Sequence, residues 1–282
     1  MTAPLRSYDT NFGRFYSHPS VAPKPASRWP DESEEVETPY SPKPSITNIM
    51  KMLDEAFLPG YHSKLVAEYA VDNIDQLADW LHEHPDGRQT LISELKAVPL
   101  EPHPNAAIGD EVHNAIDRDI KGEETGPPLS TITAKRMFAQ WLHFKAVRKP
   151  RIIQSEFTVW SYEYGYAGTG DLLWEDEDGV WIVDTKTGNR IYPKVAMQTA
   201  AAQHADVILD GDGNEHSMVK AGNLGVLHIR PMSAKLYKIE HADEAWGAFL
   251  ACKRLFDWTR YCKESSIGGV MANTAADVKG LR

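Results

Sequence analysis

The chain has 282 residues, enough for one large domain or a domain with an extension, and 42% of them are hydrophobic, which supports a substantial core. The formal net charge of −10 argues against a surface coated in basic residues, although a local basic groove is compatible with it. Two cysteines, Cys252 and Cys262, form no metal-binding pattern and argue against a disulfide framework. The sequence has no apolar leader and no run of 18 apolar residues, so it predicts a soluble, cytoplasmic protein with no membrane partner.

Residues 1–44 are rich in proline and carry an acidic run at 31–37. Such a segment has little apolar surface to bury, so we expect an extended or disordered arm. The arm either docks a partner protein, lies over the body of the molecule, or is a solvated tail.

Helical patterns dominate from Ser45, a candidate N-cap. The predicted helices are 46–57, 62–74, 75–83, 87–98, 107–121, 132–148, 193–207 and 242–262, and a loose tail follows over 265–282. In the helix over 107–121, apolar residues recur every four positions and indicate a buried stripe. His113 lies at the edge of that stripe. Gly109, one turn before His113, would let the helix approach a neighbour closely.

The helix over 132–148 is the first candidate for nucleic-acid contact, because no acidic residue occurs from 131 to 151. Its basic residues would hold phosphates and an interleaved aromatic would stack on an unpaired base. An equally supported alternative is that the aromatic residues form a buried stripe of the core and the basic residues form the solvent-exposed face of the helix. The candidate contacts are Lys135, Arg136, Trp141, Lys145, Arg148 and Lys149.

A strand is predicted over 152–160 and contains Glu156, a second-tier candidate because a carboxylate inside an apolar strand calls for a partner. Two further strands, 171–174 and 180–186, are joined by a turn that ends in Asp178 and Gly179. The apolar run from 180 is typical of a strand buried on both faces.

The strand over 180–186 ends in Asp184, Thr185 and Lys186. Since side chains alternate along a strand, Asp184 and Lys186 are expected on one side and Thr185 on the other. The partner strand would bring Asp171 beside Asp184. Two converging carboxylates repel each other unless a cation lies between them, and a hard divalent ion suits oxygen ligands. The alternative is a plain Asp–Lys salt bridge at the end of a strand.

Four short motifs then occur in order: residues 109–113 with their Gly-x-x-x-His pattern, 168–171, 184–188, and Gln198 in the following helix. Together they resemble the PD-(D/E)XK nuclease superfamily, and more closely its RecB-like branch, which includes CRISPR-associated and phage exonucleases. The similarity runs from about residue 44 to about residue 259. It departs from the family at Ala202, where members often have a tyrosine; Tyr192 and Tyr166 are the candidate substitutes.

The resemblance implies an α/β, restriction-endonuclease-like core over 45–264: a small mixed sheet of four or five strands, flanked by helices and preceded by a helical subregion. It also implies a DNA exonuclease of phage recombination or replication, dependent on Mg²⁺ or Mn²⁺. The expected metal ligands are His113, Asp171, Asp184 and the Thr185 carbonyl.

Lys186 is expected to act on the attacking water, and Gln198 to orient Lys186 or a phosphate. The basic residues that follow the strand, Arg190 and Lys194, are further candidate contacts to linear or single-stranded DNA ends. Some family members carry an iron–sulfur cluster on four cysteines, and none is expected on two. The alternatives are a non-catalytic nucleic-acid-binding or assembly protein that retains the fold, and a hydrolase of another phosphoester.

Overall fold

The computed structural model describes residues 7–10, 13–20, 40–53, 58–98, 104–123, 126–210, 212–259 and 267–268. Over these residues the chain is mixed α/β, with a central sheet of seven strands. The central strands are β4 (Arg151–Ser161), β5 (Tyr166–Asp176), β6 (Gly179–Lys186), β7 (Val207–Leu209), β8 (Glu215–Ser217), β9 (Asn223–Arg230) and β10 (Ser233–Lys238). Their spatial order is β10-β9-β6-β5-β4-β7-β8, and every neighbouring pair is antiparallel except β6 and β9.

Eight α-helices occur in the described residues. They are α1 (Ile46–Met50), α2 (Leu58–Asp72), α3 (Ile74–Glu83), α4 (Arg88–Ala97), α5 (Pro104–Lys121), α6 (Ile132–Arg148), α7 (Lys194–Gln203) and α8 (Ala242–Asp257). Among these helices, none has the length and apolar character of a membrane span.

Both faces of the sheet are covered, which explains why β6 is apolar along nearly its whole length. On one face, α1, α7 and α8 pack around Leu173, Ile182 and Phe249. On the other face, α5 and α6 pack around Trp141 and Trp174. The carboxyl end of β6 therefore lies between two layers of helices. Its successive side chains face these two layers alternately.

The β5–β6 hairpin is fixed by Asp176, whose side chain is 1% exposed. Its carboxylate accepts hydrogen bonds at 3.0 Å from the indole nitrogens of Trp174 and Trp181 and from Arg148 Nε, and at 2.9 Å from the Asp178 amide. The predicted turn is confirmed: Asp176 pairs with Gly179, whose φ of +105° suits a residue without a side chain.

Part of the arm differs from expectation. Within 1–44, Ser7–Thr10, Gly13–Tyr16 and Lys43–Pro44 form strands β1, β2 and β3 of a second, three-stranded sheet. Phe15 is 1% exposed and joins the core beside α1 and α8. The expectation that this segment buries little is therefore wrong for its described residues, because the pair of aromatics in β2 supplies apolar surface that the proline-rich composition obscures. The acidic run lies outside the described residues.

Other boundaries also shift. The sheet is larger than the four or five strands expected, because β7 and β8 form a hairpin that extends it beyond β4. α1 spans five residues where a helix to 57 was predicted, and 54–57 lie outside the described residues. Apart from 267–268, the predicted tail also lies outside them.

We predict that Asp176→Ala lowers the free energy of unfolding by about 3 kcal/mol, because it leaves two indole N–H groups without their acceptor and removes the buried partner of Arg148. Urea denaturation measures this change. Asp178→Ala, at a half-exposed carboxylate that also pairs with Arg148, is the matched control and should cost less than about 1 kcal/mol. Equal losses would contradict the role given to Asp176.

Candidate functional site

Two carboxylates meet where the β5–β6 pairing ends. Leu172 pairs with Val183, so the next residues outward, Asp171 and Asp184, stand at opposite positions on adjacent strands. The Thr185 amide donates a hydrogen bond of 2.7 Å to Asp171 Oδ2. The register set by the apolar residues of the hairpin therefore brings both acids to one place.

Asp184 is 3% exposed, and charges on Asp171, Lys186 and His113 act on it. Lys186 Nζ lies 2.6 Å from its Oδ2, on the same side of β6 as strand alternation predicts. Apart from this ion pair, no hydrogen bond from the described residues reaches either Asp184 oxygen, and the buried Thr185 hydroxyl has no partner among them. Buried polar atoms are normally satisfied, so Asp184 Oδ1 and the Thr185 hydroxyl each have the capacity to bind a ligand.

α5 brings an imidazole to the same place. His113 Nδ1 lies 3.6 Å from Asp171 Oδ2. This approach depends on Gly109, one turn earlier, where a Cβ atom would lie 2.9 Å from the Thr187 hydroxyl. Gly109 thus lets α5 lie against the end of β6, as its spacing from His113 suggested.

Glu156 is closer to the centre of the site than its second-tier ranking implied. Its neighbours in β4 pair with Leu172 and Gly170, which puts Glu156 across from Asp171. It has φ +47°, a strained conformation for a residue with a side chain, and such strain often occurs at functional sites. His113, Glu156 and Asp171 each offer a ligand atom within 4.8 Å of the other two.

The electrostatics of these groups reflect burial and crowding. Burial, then repulsion from Asp171, raises the pKa of Asp184 to about 7. Burial, then Asp171 and Asp117, raises the pKa of Glu156 to about 7. Burial also raises the pKa of Asp171 and lowers that of His113, which favours a neutral imidazole able to bind a metal. The crowded acids therefore hold protons unless a cation replaces them.

A small pocket of about 10 Å³ is lined by His113, Glu156, Asp171 and Thr185, and also by Asp117, which sequence reasoning missed. Asp117 accepts a 2.7 Å hydrogen bond from Ser155 and lies 2.5 Å from Lys121 Nζ. Its position four residues after His113 puts both on one helix face, and that spacing was the available signal.

A larger cleft of about 300 Å³ adjoins Lys186, between α1 and the start of α7. Four candidate residues line it as well as Lys186: Gln198, Arg190, Tyr192 and Lys194. Lys51, at the end of α1, also lines it and was missed, because a single lysine after a short helix gives no pattern.

The expected contacts on α6 are partly wrong. Trp141 is fully buried and donates a 2.7 Å hydrogen bond to Asp119, so it cannot stack on a base. Lys145 lies 2.5 Å from Asp119, and Arg148 pairs with Asp176. These two cations have no acidic neighbours in the sequence of α6, but the fold brings them acids from α5 and β5. The remaining candidates on α6 and its C-cap are exposed: Lys135, Arg136 and Lys149.

Comparison of the chain with models of known protein families and with curated proteins finds no match. The roles of these residues are therefore argued from their geometry.

We predict that Asp184→Asn stabilises the metal-free protein by about 2 kcal/mol at about pH 8. The folded-state pKa of Asp184 is about 7, above its unfolded value, so the folded chain binds more protons between about pH 4 and 7 and loses stability as pH rises. The variant lacks this loss, so its advantage grows with pH. Thermal melts in EDTA measure it. Glu177→Gln, at an exposed carboxylate, should show no such trend, and an Asp184→Asn difference independent of pH would contradict the prediction.

Proposed function

We propose that this protein is a metal-dependent nuclease that hydrolyses DNA phosphodiester bonds in the cytoplasm, as an exonuclease of phage recombination or replication. One observation carries the proposal. The partly buried Asp171 and the buried Asp184 converge beside Lys186, and Lys186 lines a cationic cleft. The proposal includes membership of the PD-(D/E)XK superfamily and a restriction-endonuclease-like core, which the mixed sheet with helices on both faces supports.

The charge balance of the site supports a bound divalent cation. Its carboxylates are Asp117, Glu156, Asp171 and Asp184, and its ion-paired lysines are Lys121 and Lys186. With all of these ionised the site has a net charge of −2, which one divalent ion neutralises. Removal of a charged group from water is costly unless it is paired, so the ion and the acids stabilise one another.

Oxygen-rich donors with one imidazole fit Mg²⁺ or Mn²⁺, and the nitrogen favours tolerance of Mn²⁺. The residues that would hold the ion are His113, Glu156, Asp171, Asp184 and the Thr185 carbonyl. Glu156 joins the expected set because its oxygen lies within reach of both His113 and Asp171. When bound, the ion would supply Lewis acidity and lower the pKa of water.

Lys186 connects the acids to the substrate cleft. Its ammonium group is held by Asp184 and is partly exposed, so it can orient a water molecule or stabilise charge that develops on a phosphate. Gln198 lines the same cleft from the first turns of α7 and can donate a hydrogen bond to a phosphate oxygen.

The cleft offers positive charge for the phosphates of a nucleic-acid strand. It contains Lys51, Lys186, Arg190 and Lys194, and no Asp or Glu is among its described lining residues. The net charge of −10 does not exclude such a local group of cations. These cations can attract the phosphates of DNA.

We predict that the wild-type protein binds Mn²⁺ and that Glu156→Gln or His113→Ala weakens this binding at least about tenfold, because each removes a donor or a charge from the site. Isothermal titration calorimetry measures the affinity. His143→Ala, at an exposed histidine of α6, should leave the affinity unchanged. A wild-type protein that binds no Mn²⁺ would contradict the metal site.

We predict that the protein degrades end-labelled linear DNA with Mg²⁺ or Mn²⁺ but not in EDTA. Lys186→Ala should reduce the rate at least about 100-fold because it removes the ammonium group from the reacting phosphate, while Mn²⁺ binding persists. Lys96→Ala, at an exposed lysine of α4, is the matched control and should leave the rate unchanged.

Circular DNA in the same experiment distinguishes exonuclease from endonuclease, since only an endonuclease cuts a closed circle. DNA binding without cleavage under either metal would favour the non-catalytic alternative. Hydrolysis of small phosphoesters without cleavage of DNA would favour a different phosphoesterase.

A further inference from the structure

The cleft beside Lys186 combines positive charge with an exposed aromatic ring. Tyr192 is 45% exposed and lies between Arg190 and Lys194 in sequence, and all three residues line the cleft. Proteins that bind single strands use this combination, in which a basic groove follows the phosphates and aromatic rings stack on bases.

The orientation of α7 adds to the positive potential. The helix begins at Lys194 and directs its N-terminal end to the cleft through Lys194, Val195 and Gln198. No acidic residue is present in its first turn, which the structure describes in full. The positive end of the helix dipole therefore reinforces Lys51 and Arg190, which approach from neighbouring segments.

The shape of the cleft favours a strand over a duplex. At about 300 Å³ it is at the small end of the range for ligand pockets, and its cations come from two segments of the chain. A duplex would require either an element that enters a groove or an extended basic surface. The candidate for such a surface, α6, has Trp141 buried and Lys145 neutralised by Asp119.

We propose that this cleft binds a single-stranded segment of nucleic acid, with phosphates on Lys51, Arg190 and Lys194 and a base stacked on Tyr192. The proposal rests on the proposed nuclease function and adds its substrate form: the strand that reaches Lys186 is unpaired. Exposed Lys51 and Arg190, which line the cleft from two distant segments of the chain, would contact phosphates, and Tyr192 would hold a base.

Fluorescence anisotropy in EDTA tests binding separately from cleavage. The probes are a labelled oligothymidylate of about 12 nucleotides and a blunt duplex of the same length. We expect the single strand to bind at least about tenfold more tightly than the duplex. Tyr192→Ala should weaken single-strand binding about tenfold, whereas Tyr192→Phe, which keeps the ring, should bind like the wild type.

Salt dependence tests the phosphate contacts. For single strands the slope of log affinity against log salt changes by about 0.7 for each phosphate contact, so the double variant Lys51→Ala/Arg190→Ala should reduce the slope by about 1.4. The matched control is Lys96→Ala/Arg88→Ala, at exposed cations of α4 that are not among the residues lining the cleft, and it should leave the slope unchanged. All of these positions are exposed, and thermal melts verify that each variant is folded.

Equal or tighter binding of the duplex, or single-strand binding that both cleft variants leave unchanged, would overturn the proposal. These outcomes are distinct from failure of the nuclease function. Tight single-strand binding that depends on Tyr192, without cleavage under Mg²⁺ or Mn²⁺, supports the cleft and contradicts the nuclease. Cleavage of duplex DNA that does not depend on Tyr192 supports the nuclease and contradicts the cleft.

Discussion

The repulsion between Asp171 and Asp184 is the constraint on which the site depends. The two acids stand at opposite positions on adjacent strands, and Asp184 is almost completely buried. Burial and mutual repulsion of the two carboxylates therefore destabilise the fold relative to one with uncharged residues at these positions. Neither Asp184 oxygen accepts a regular hydrogen bond from the described residues, and the one close cation, Lys186, is partly exposed. A protein selected for stability alone would place apolar residues here.

Because side chains alternate along β6, its last two residues line two different pockets. The side chain of Thr185 lies on the side of β6 that faces α5, and it lines the small acidic pocket together with His113. The side chain of Lys186 lies on the side of β6 that faces α1 and α7, and it lines the cationic cleft. In the proposed function, these two consecutive residues would connect a bound cation to the phosphates of the substrate.

Local patterns predicted the secondary structure well and the surface poorly. Hydrophobic periodicity placed β6 and α5 correctly, and Gly109 indicated a close contact that the structure contains. The interpretation of α6 failed at Trp141, because the acid that binds its indole, Asp119, comes from a different helix and sequence neighbours give no sign of it. Lys51 was missed for the same reason: the cleft is assembled from segments more than 130 residues apart, and only the packed fold brings them together.

The central claim is that Asp171 and Asp184, which lie where the β5–β6 pairing ends, share one divalent cation beside Lys186. A crystal structure of the protein soaked in Mn²⁺, with data collected at the manganese absorption edge, tests it most directly. The account predicts an anomalous peak within coordination distance of Asp171 and Asp184, with His113 or Glu156 completing the shell. No peak at this position at saturating Mn²⁺, with Lys186 still paired to Asp184, would contradict it.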